Sequence, residues 1–130
     1  MFKATTRGIS VSVLPVYIDE RSSPAESQYF WAYRIVIQND SGIEVQLLSR
    51  YWLITDAFGN REEVAGEGVV GQQPILGDGA EYIYTSGCPL TTESGIMEGF
   101  YIFRSAAGED FKVQIPAFSL DLPDFFPNLN

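Results

Sequence analysis

The sequence predicts an all-β protein: a fibronectin type III or immunoglobulin-like β-sandwich of about seven to eight antiparallel strands. Short segments alternate apolar and polar residues with a period of two, as Ile9, Val11 and Val13 do between serines. Clusters of glycine, proline, asparagine and aspartate separate these segments, and no helical apolar period of useful length is found. The single cysteine excludes the cystine core of antibody domains, so we expect the fibronectin-like variant, with a jelly roll as the alternative fold.

The alternation places seven strands in order along one domain. They are predicted at residues 9–17, 30–39, 45–55, 61–66, 80–85, 95–104 and 111–116. Residues 1–8 are a short polar start, and 19–28 and 86–92 are predicted to be loops. Residues 56–60 are predicted to form a hairpin turn with Gly59 at the positive-φ position. The period is less clean in 45–55, and Pro15 indicates a sheet edge or a bulge. The large aromatic side chains assigned to the core are Trp31, Tyr33, Trp52, Tyr101 and Phe103.

The domain is expected to span residues 1–130, with a core at 9–122 and a tail at 123–130. The segment 117–130 carries Phe118, Leu120, Leu122, Phe125 and Phe126 between prolines. Such an apolar terminus docks on its own sandwich or on a second subunit, which would give a homodimer. We favour the first arrangement, because aromatic-rich termini are usually held by their own domain.

Composition excludes several classes of function. The formal net charge of −9 argues against nucleic acid and anionic membranes as partners, and favours basic or cationic ones. No apolar run is long enough to span a membrane. One cysteine and no visible secretory leader favour the cytoplasm. Histidine is absent, so the commonest general base and metal ligand is missing, and we expect no enzyme and no cofactor.

The glycine-rich loop at 66–71 is the one motif that hints at chemistry. Gly66, Gly68 and Gly71 match the G-x-G-x-x-G spacing of dinucleotide-binding domains. That motif requires a following helix, whereas Pro74 blocks a helix and Val69 and Val70 favour extended backbone. No Lys-Ser or Lys-Thr follows the last glycine, so a P-loop is excluded as well.

Two interpretations of this loop stay open. Bare N–H groups of the glycines can form an anion-binding nest for phosphate or pyrophosphate, with Arg50 or Arg61 as counter-charge. Alternatively, the glycines only supply positive-φ backbone at turns and a bulge, and Arg50 makes an inter-strand hydrogen bond to a carboxylate or carbonyl. We favour the second interpretation, because the glutamates beside the loop would repel phosphate.

Other polar clusters carry less chemistry. Glu62, Glu63, Glu67, Asp78 and Glu81 offer oxygen ligands for a divalent cation, but their spacing matches no EF-hand loop. A solvated acidic edge is the expected outcome, with no metal site. Cys88 has no histidine to activate it and is expected to be a packing thiol in a loop.

Several segments together resemble the ApaG family over nearly the whole chain. They are Asn39, LLSRYW at 47–52, VAGEGVVGQQP at 64–74, YTSG at 84–87, GIMEGFY at 95–101 and IPAFSL at 115–120. The chain departs from the family where Gly77-Asp78-Gly79 replaces a Pro-Gly turn. The resemblance implies a fibronectin type III-like sandwich and a bacterial cytosolic protein without established catalytic residues. It also implies association with cobalt resistance and magnesium efflux, and with a diadenosine-tetraphosphate hydrolase through the genomic context that named the family.

Related domains occur in eukaryotic F-box proteins and in a polymerase-delta-interacting protein, where they resemble interaction modules. We therefore expect a non-catalytic module that binds an unidentified protein partner, through a sheet face or an edge strand. The alternative is a small-anion binder at residues 66–71, with Gly66, Gly68, Gly71, Arg50 and Arg61 as its candidate residues.

Overall fold

A computed structural model describes residues 1–123 as two packed antiparallel sheets. The strands are β1 (Phe2–Thr6), β2 (Ile9–Tyr17), β3 (Tyr29–Asn39), β4 (Val45–Asp56), β5 (Arg61–Glu67), β6 (Ile75–Leu76), β7 (Glu81–Leu90), β8 (Gly95–Ser105) and β9 (Asp110–Leu120). One sheet has the order β1-β2-β3-β7, and the other β5-β4-β8-β9 with β6 paired to β4. The predicted sandwich is confirmed, and eight of its nine strands have five residues or more.

The core lies between the sheets and consists of the inward residues of each alternating strand. Trp31, Tyr33, Trp52, Tyr101 and Phe103 are all buried, as predicted. The irregular period of β4 has a physical cause, because a β-bulge between Leu47 and Ser49 shifts which residues face inward. From the bulge onward the even-numbered residues face the core, and these include Arg50.

The first eight residues were described from the sequence as a short polar start, and no strand was predicted there. Residues Phe2–Thr6 form β1, which pairs with β2. Arg7 and Gly8 connect the two strands and have φ angles of 51° and 81°. Positive φ at both central residues is the geometry of a type I′ hairpin turn, which the polar composition of the segment concealed.

The prediction of a loop at 86–92 was wrong over most of its length, because β7 continues to Leu90. Within this extension, Gly87 lies against the ring of Phe30 in β3. A Cβ atom on Gly87 would lie 2.3 Å from Cζ of Phe30, so the glycine leaves room for that ring. Cys88, predicted to lie in a loop, is instead a buried strand residue facing the core.

The C-terminal strand is longer than predicted. It runs through Pro116 to Leu120, and its register shifts opposite residues 97–99 of β8. A proline within a strand is tolerated at such an irregularity. Phe118 and Leu120 are buried on their own sandwich, as preferred for the apolar segment. The predictions for Phe125 and Phe126, and for the tail at 123–130 beyond Pro123, lie outside the described residues.

Candidate functional site

The two sides of the sandwich differ in how its outer strands are covered. At one side, β1 and β2 contact β9. There the backbone N–H of Gln114 in β9 donates to Oγ1 of Thr6 at 3.2 Å. At the other side, β7 and β5 are the outermost strands of their sheets. This second side holds two cavities lined by residues of both sheets, and we call the region that contains them the β5–β7 crevice.

The larger cavity of the crevice has a volume of about 460 Å³. Its apolar walls come from Tyr29, Phe30, Ile54, Pro89 and Leu90. Charged and polar residues surround these walls, namely Arg21, Ser27, Gln28, Asp56, Asn60, Arg61, Glu62 and Thr91. The guanidinium of Arg21 lies 4.1 Å from the centre of the Phe30 ring, which is a cation–π distance.

The second cavity, with a volume of about 280 Å³, surrounds Arg50 and is called the Arg50 cavity here. Sheet β1-β2-β3-β7 contributes Tyr33, Tyr84 and Ser86, and the other wall is lined by Arg50, Trp52, Glu67, Val69, Val70 and Gly71. Burial raises the pKa of Tyr33 and of Tyr84, partly offset by their hydrogen bonds to Ser86 and Tyr101. The phenol hydroxyl groups of both tyrosines are therefore neutral at physiological pH.

Arg50 is held against the backbone of β5. Its Nη1 donates to the carbonyl oxygens of Glu67 at 3.0 Å and of Gly68 at 2.9 Å. A Cβ atom on Gly66 would lie 2.9 Å from this Nη1, so the absence of a side chain at Gly66 leaves room for the guanidinium. The hydrogen bond to a carbonyl that we favoured for Arg50 is present in this geometry.

The remaining charge of Arg50 is not balanced by an ion pair within the described chain. The ion pairs among residues 1–123 join Arg7 to Glu109 and Arg104 to Asp110. Hydrogen bonds within the same residues use only Nη1 of Arg50. Its Nε and Nη2 therefore retain the fork of N–H groups that binds a carboxylate or phosphate in bidentate fashion.

The glycine loop borders the Arg50 cavity but offers few donors to it. The N–H of Gly68 donates to the carbonyl of Leu48 at 2.8 Å, and Val69 and Gln72 bond each other across a two-residue turn. Val70 and Gly71 form that turn, with φ angles of 48° and 77°. The structure thus brings Gly66, Gly68, Gly71 and Arg50 together, whereas Arg61 lies at the start of β5 and lines the larger cavity.

The predicted acidic edge does not gather into a metal-binding cluster in the part of the chain that the structure describes. Asp78 instead accepts a hydrogen bond from the N–H of Gly42 at 2.9 Å. No helix among residues 1–123 is long and apolar enough to cross a membrane. Burial raises the pKa of the Cys88 thiol to about 11, with a smaller contribution from the charge of Glu62.

Comparison with known proteins identifies the family. The model of the ApaG domain (DUF525) matches residues 19–105. The chain belongs to the ApaG family. It is 58% identical over 123 residues to Protein ApaG of Mesorhizobium japonicum, with 95% of both chains covered. It is 54% identical over 130 residues to Protein ApaG of Brucella suis, with both chains fully covered.

A solved structure agrees with this assignment. The crystal structure of an ApaA protein from Bordetella pertussis superposes with a TM-score of 0.88 at 42% identity, covering 96% of this chain and all of that one. The family resemblance and the sandwich predicted from the sequence are both confirmed. Tyr84 and Ser86 were not among our predicted site residues, because their place beside Arg50 depends on the pairing of β7 with β3.

Proposed function

We propose that this ApaG-family chain is a non-catalytic module that binds a protein partner by adding an extended segment to the outer edge of β7. One observation carries the proposal: the ten-residue edge strand β7 borders both cavities of the β5–β7 crevice. Strand addition draws affinity from main-chain hydrogen bonds and specificity from pockets for alternate side chains. The crevice offers both at one place.

The register between β3 and β7 determines which backbone groups of β7 point outward at this edge. Asn39 donates its N–H to the carbonyl of Ala80 at 2.9 Å, and the residues of β3 and β7 pair in step from there. In an antiparallel ladder, hydrogen-bonded and non-hydrogen-bonded pairs alternate. The even-numbered residues of β7 therefore bond to β3, and Ile83, Thr85 and Gly87 direct their backbone N–H and C=O groups outward. Pro89 falls in the outward set, where its missing N–H costs the sheet nothing.

The other edge of the crevice is less suited to an added strand. β5 has seven residues, and Glu62, Glu63 and Glu67 are three of them. Charged residues on an edge oppose strand pairing. β7 carries one carboxylate, Glu81, at its first residue. The charge pattern therefore favours β7 as the edge that accepts the partner.

The state of the Cys88 thiol also agrees with a binding role. Cys88 is buried, and its pKa of about 11 keeps it a thiol at neutral pH. The histidine that would activate it is absent from the sequence.

The test uses the full chain and a random dodecapeptide library displayed on phage. Enriched peptides are titrated into isotope-labelled protein, and we expect saturable amide shifts centred on Ile83–Gly87. Thr85→Pro removes one outward N–H without removing a bond to β3, so we expect it to weaken binding about tenfold or more while the protein stays folded. Thr85→Ala keeps the N–H and is the matched control. Equal binding to both variants, enrichment of no peptide, or shifts confined to another surface would refute strand addition at β7.

A small anion at residues 66–71 is the second candidate, and the fork of Arg50 beside the loop is the observation in its favour. A Cβ atom on Gly68 would lie 2.3 Å from the carbonyl oxygen of Gln72, so Gly68→Val must distort the turn. If the loop binds pyrophosphate, this substitution abolishes the affinity measured by calorimetry. Unchanged affinity would remove the loop as the anion site.

A further inference from the structure

We infer that the Arg50 cavity receives an acidic side chain, aspartate or glutamate, from the segment added to β7. The inference rests on the proposed strand addition and specifies the chemistry of the partner. The partner's residue opposite Ser86 would enter this cavity, and the residue opposite Leu90 would enter the larger, mainly apolar one. Because both β7 residues face inward and lie four apart, the recognised pattern is an acidic and an apolar residue separated by three others.

The direction of the partner's side chains follows from sheet geometry. Directly opposed residues on neighbouring strands place their side chains on the same face. Tyr84, Ser86 and Leu90 are inward residues of β7, so residues opposite them point into the crevice. At about 3.3 Å per residue, four residues span roughly 13 Å along the strand. One extended segment therefore reaches both cavities.

The Arg50 cavity has the donors that a carboxylate requires. The Nε and Nη2 groups of Arg50 keep a bidentate fork, because the hydrogen bonds of Arg50 within residues 1–123 use Nη1. The neutral hydroxyl of Ser86 lines the same cavity. Arg50 makes no ion pair in the described chain, so an incoming carboxylate would neutralise a charge that otherwise faces the crevice.

A carboxylate fits this cavity better than a phosphate does. One arginine balances one negative charge, whereas a phosphate at neutral pH carries up to two. Glu67 is exposed at the rim, and Glu62 and Glu63 lie further along β5. These carboxylates repel a dianion more strongly than a single carboxylate, on a chain whose net charge is already −9. Neutralising the rim should accordingly strengthen the binding of an acidic peptide.

The experiment repeats the dodecapeptide selection on the wild-type chain and on Arg50→Gln. With the wild type, we expect aspartate or glutamate to be enriched at one position and an apolar residue four positions away. With Arg50→Gln, the acidic enrichment disappears and the apolar one remains. One selected peptide and its amide form, with Asp→Asn or Glu→Gln, are then measured by calorimetry on both proteins. The amide form should bind about tenfold more weakly to the wild type and equally well to Arg50→Gln.

A second variant keeps the test informative if Arg50→Gln unfolds through loss of its bonds to residues 67 and 68. Glu67→Gln leaves Arg50 and those carbonyls in place and should tighten the acidic peptide about twofold to threefold, leaving the amide peptide unchanged. Peptides that require the N–H of Thr85 but show no acidic preference would refute this inference and leave strand addition standing. Displacement of the acidic peptide by micromolar inorganic pyrophosphate would assign the cavity to a free anion, and enrichment of no peptide would refute both proposals.

Discussion

The buried side chain of Asn39 joins two loops, so substituting it tests how much buried hydrogen bonds contribute to the stability of the fold. Its amide Nδ2 donates toward the carbonyl oxygens of Ile43 at 2.8 Å, Leu76 at 3.0 Å and Gly77 at 3.1 Å. Its Oδ1 accepts from the N–H of Ser41 at 3.0 Å and from its hydroxyl at 2.6 Å. The residue is fully buried at the end of β3.

Asn39→Ala removes two amide hydrogens and the acceptor of two further hydrogens. At about 1 kcal/mol for each of these four hydrogen bonds, the loss would be about 4 kcal/mol. Ser41 is only half-buried and Ile43 is exposed, so water replaces part of that loss and we expect about 2–4 kcal/mol. For a chain of this length this lowers Tm by about 10 °C. Urea denaturation followed by tryptophan fluorescence measures the free energy of unfolding, since Trp31 and Trp52 are buried.

Asn39→Asp distinguishes the hydrogen-bond explanation from a simple loss of packing. The new carboxylate has nearly the same shape, but it faces carbonyl oxygens and is buried, and both conditions raise its pKa in the folded state. An acid whose folded pKa is raised destabilises the fold only above its unfolded pKa of about 4. We therefore expect Asn39→Asp to be less stable at pH 7 than at pH 4, relative to wild type. Ser41→Ala, at about 1 kcal/mol, is the control. Two results would contradict this reasoning. One is a decrease below 1 kcal/mol in the free energy of unfolding of Asn39→Ala, and the other is a stability of Asn39→Asp, relative to wild type, that does not change with pH.

Three further predictions concern other parts of the sandwich. Gly99→Ala should cost about 3 kcal/mol or more in urea denaturation, because its Cβ would lie 2.0 Å from the carbonyl oxygen of Tyr51, and backbone must move. Cys88 should react with a thiol reagent at pH 8 roughly a hundredfold more slowly than free cysteine, since its pKa of about 11 leaves little thiolate. Asp56 accepts hydrogen bonds from the N–H groups of Phe58 and Asn60, and these bonds lower the pKa of its carboxyl by more than burial raises it. The Tm difference between wild type and Asp56→Asn should therefore shrink as the pH falls below about 4.

Alternation along the strand itself made β2, β3 and β8 predictable, whereas β4 and β5 were predicted at nearly their observed bounds with a less regular pattern. β2, β3 and β8 bury every second side chain along most of their length, and this pattern can be seen without knowing their neighbours. The second half of β7 could not be predicted in the same way, because Ser86, Gly87 and Pro89 are typical of turns. In the folded chain Phe30 covers the glycine and the proline falls at the open edge of the sheet, and both are compatible with a strand.

The candidate site was predictable to a similar, limited extent. Arg50 could be selected from the sequence as the cation near the glycine loop, and it does line the same cavity as Gly71. Tyr33, Tyr84 and Ser86 complete that cavity from the other sheet. Their position depends on how the two sheets pack, which the spacing of residues along the chain does not determine.

The glycines of the loop show why its spacing alone does not indicate a nucleotide site. Gly66 makes room for the guanidinium of Arg50, Gly68 for the carbonyl of Gln72, and Gly71 adopts the positive φ of a two-residue turn. Each glycine therefore has a structural cause that requires no ligand, and the three causes are independent of one another. Together, Gly66 and the carbonyl oxygens of Glu67 and Gly68 hold the guanidinium of Arg50 against β5, in the cavity that Tyr84 and Ser86 of β7 also line.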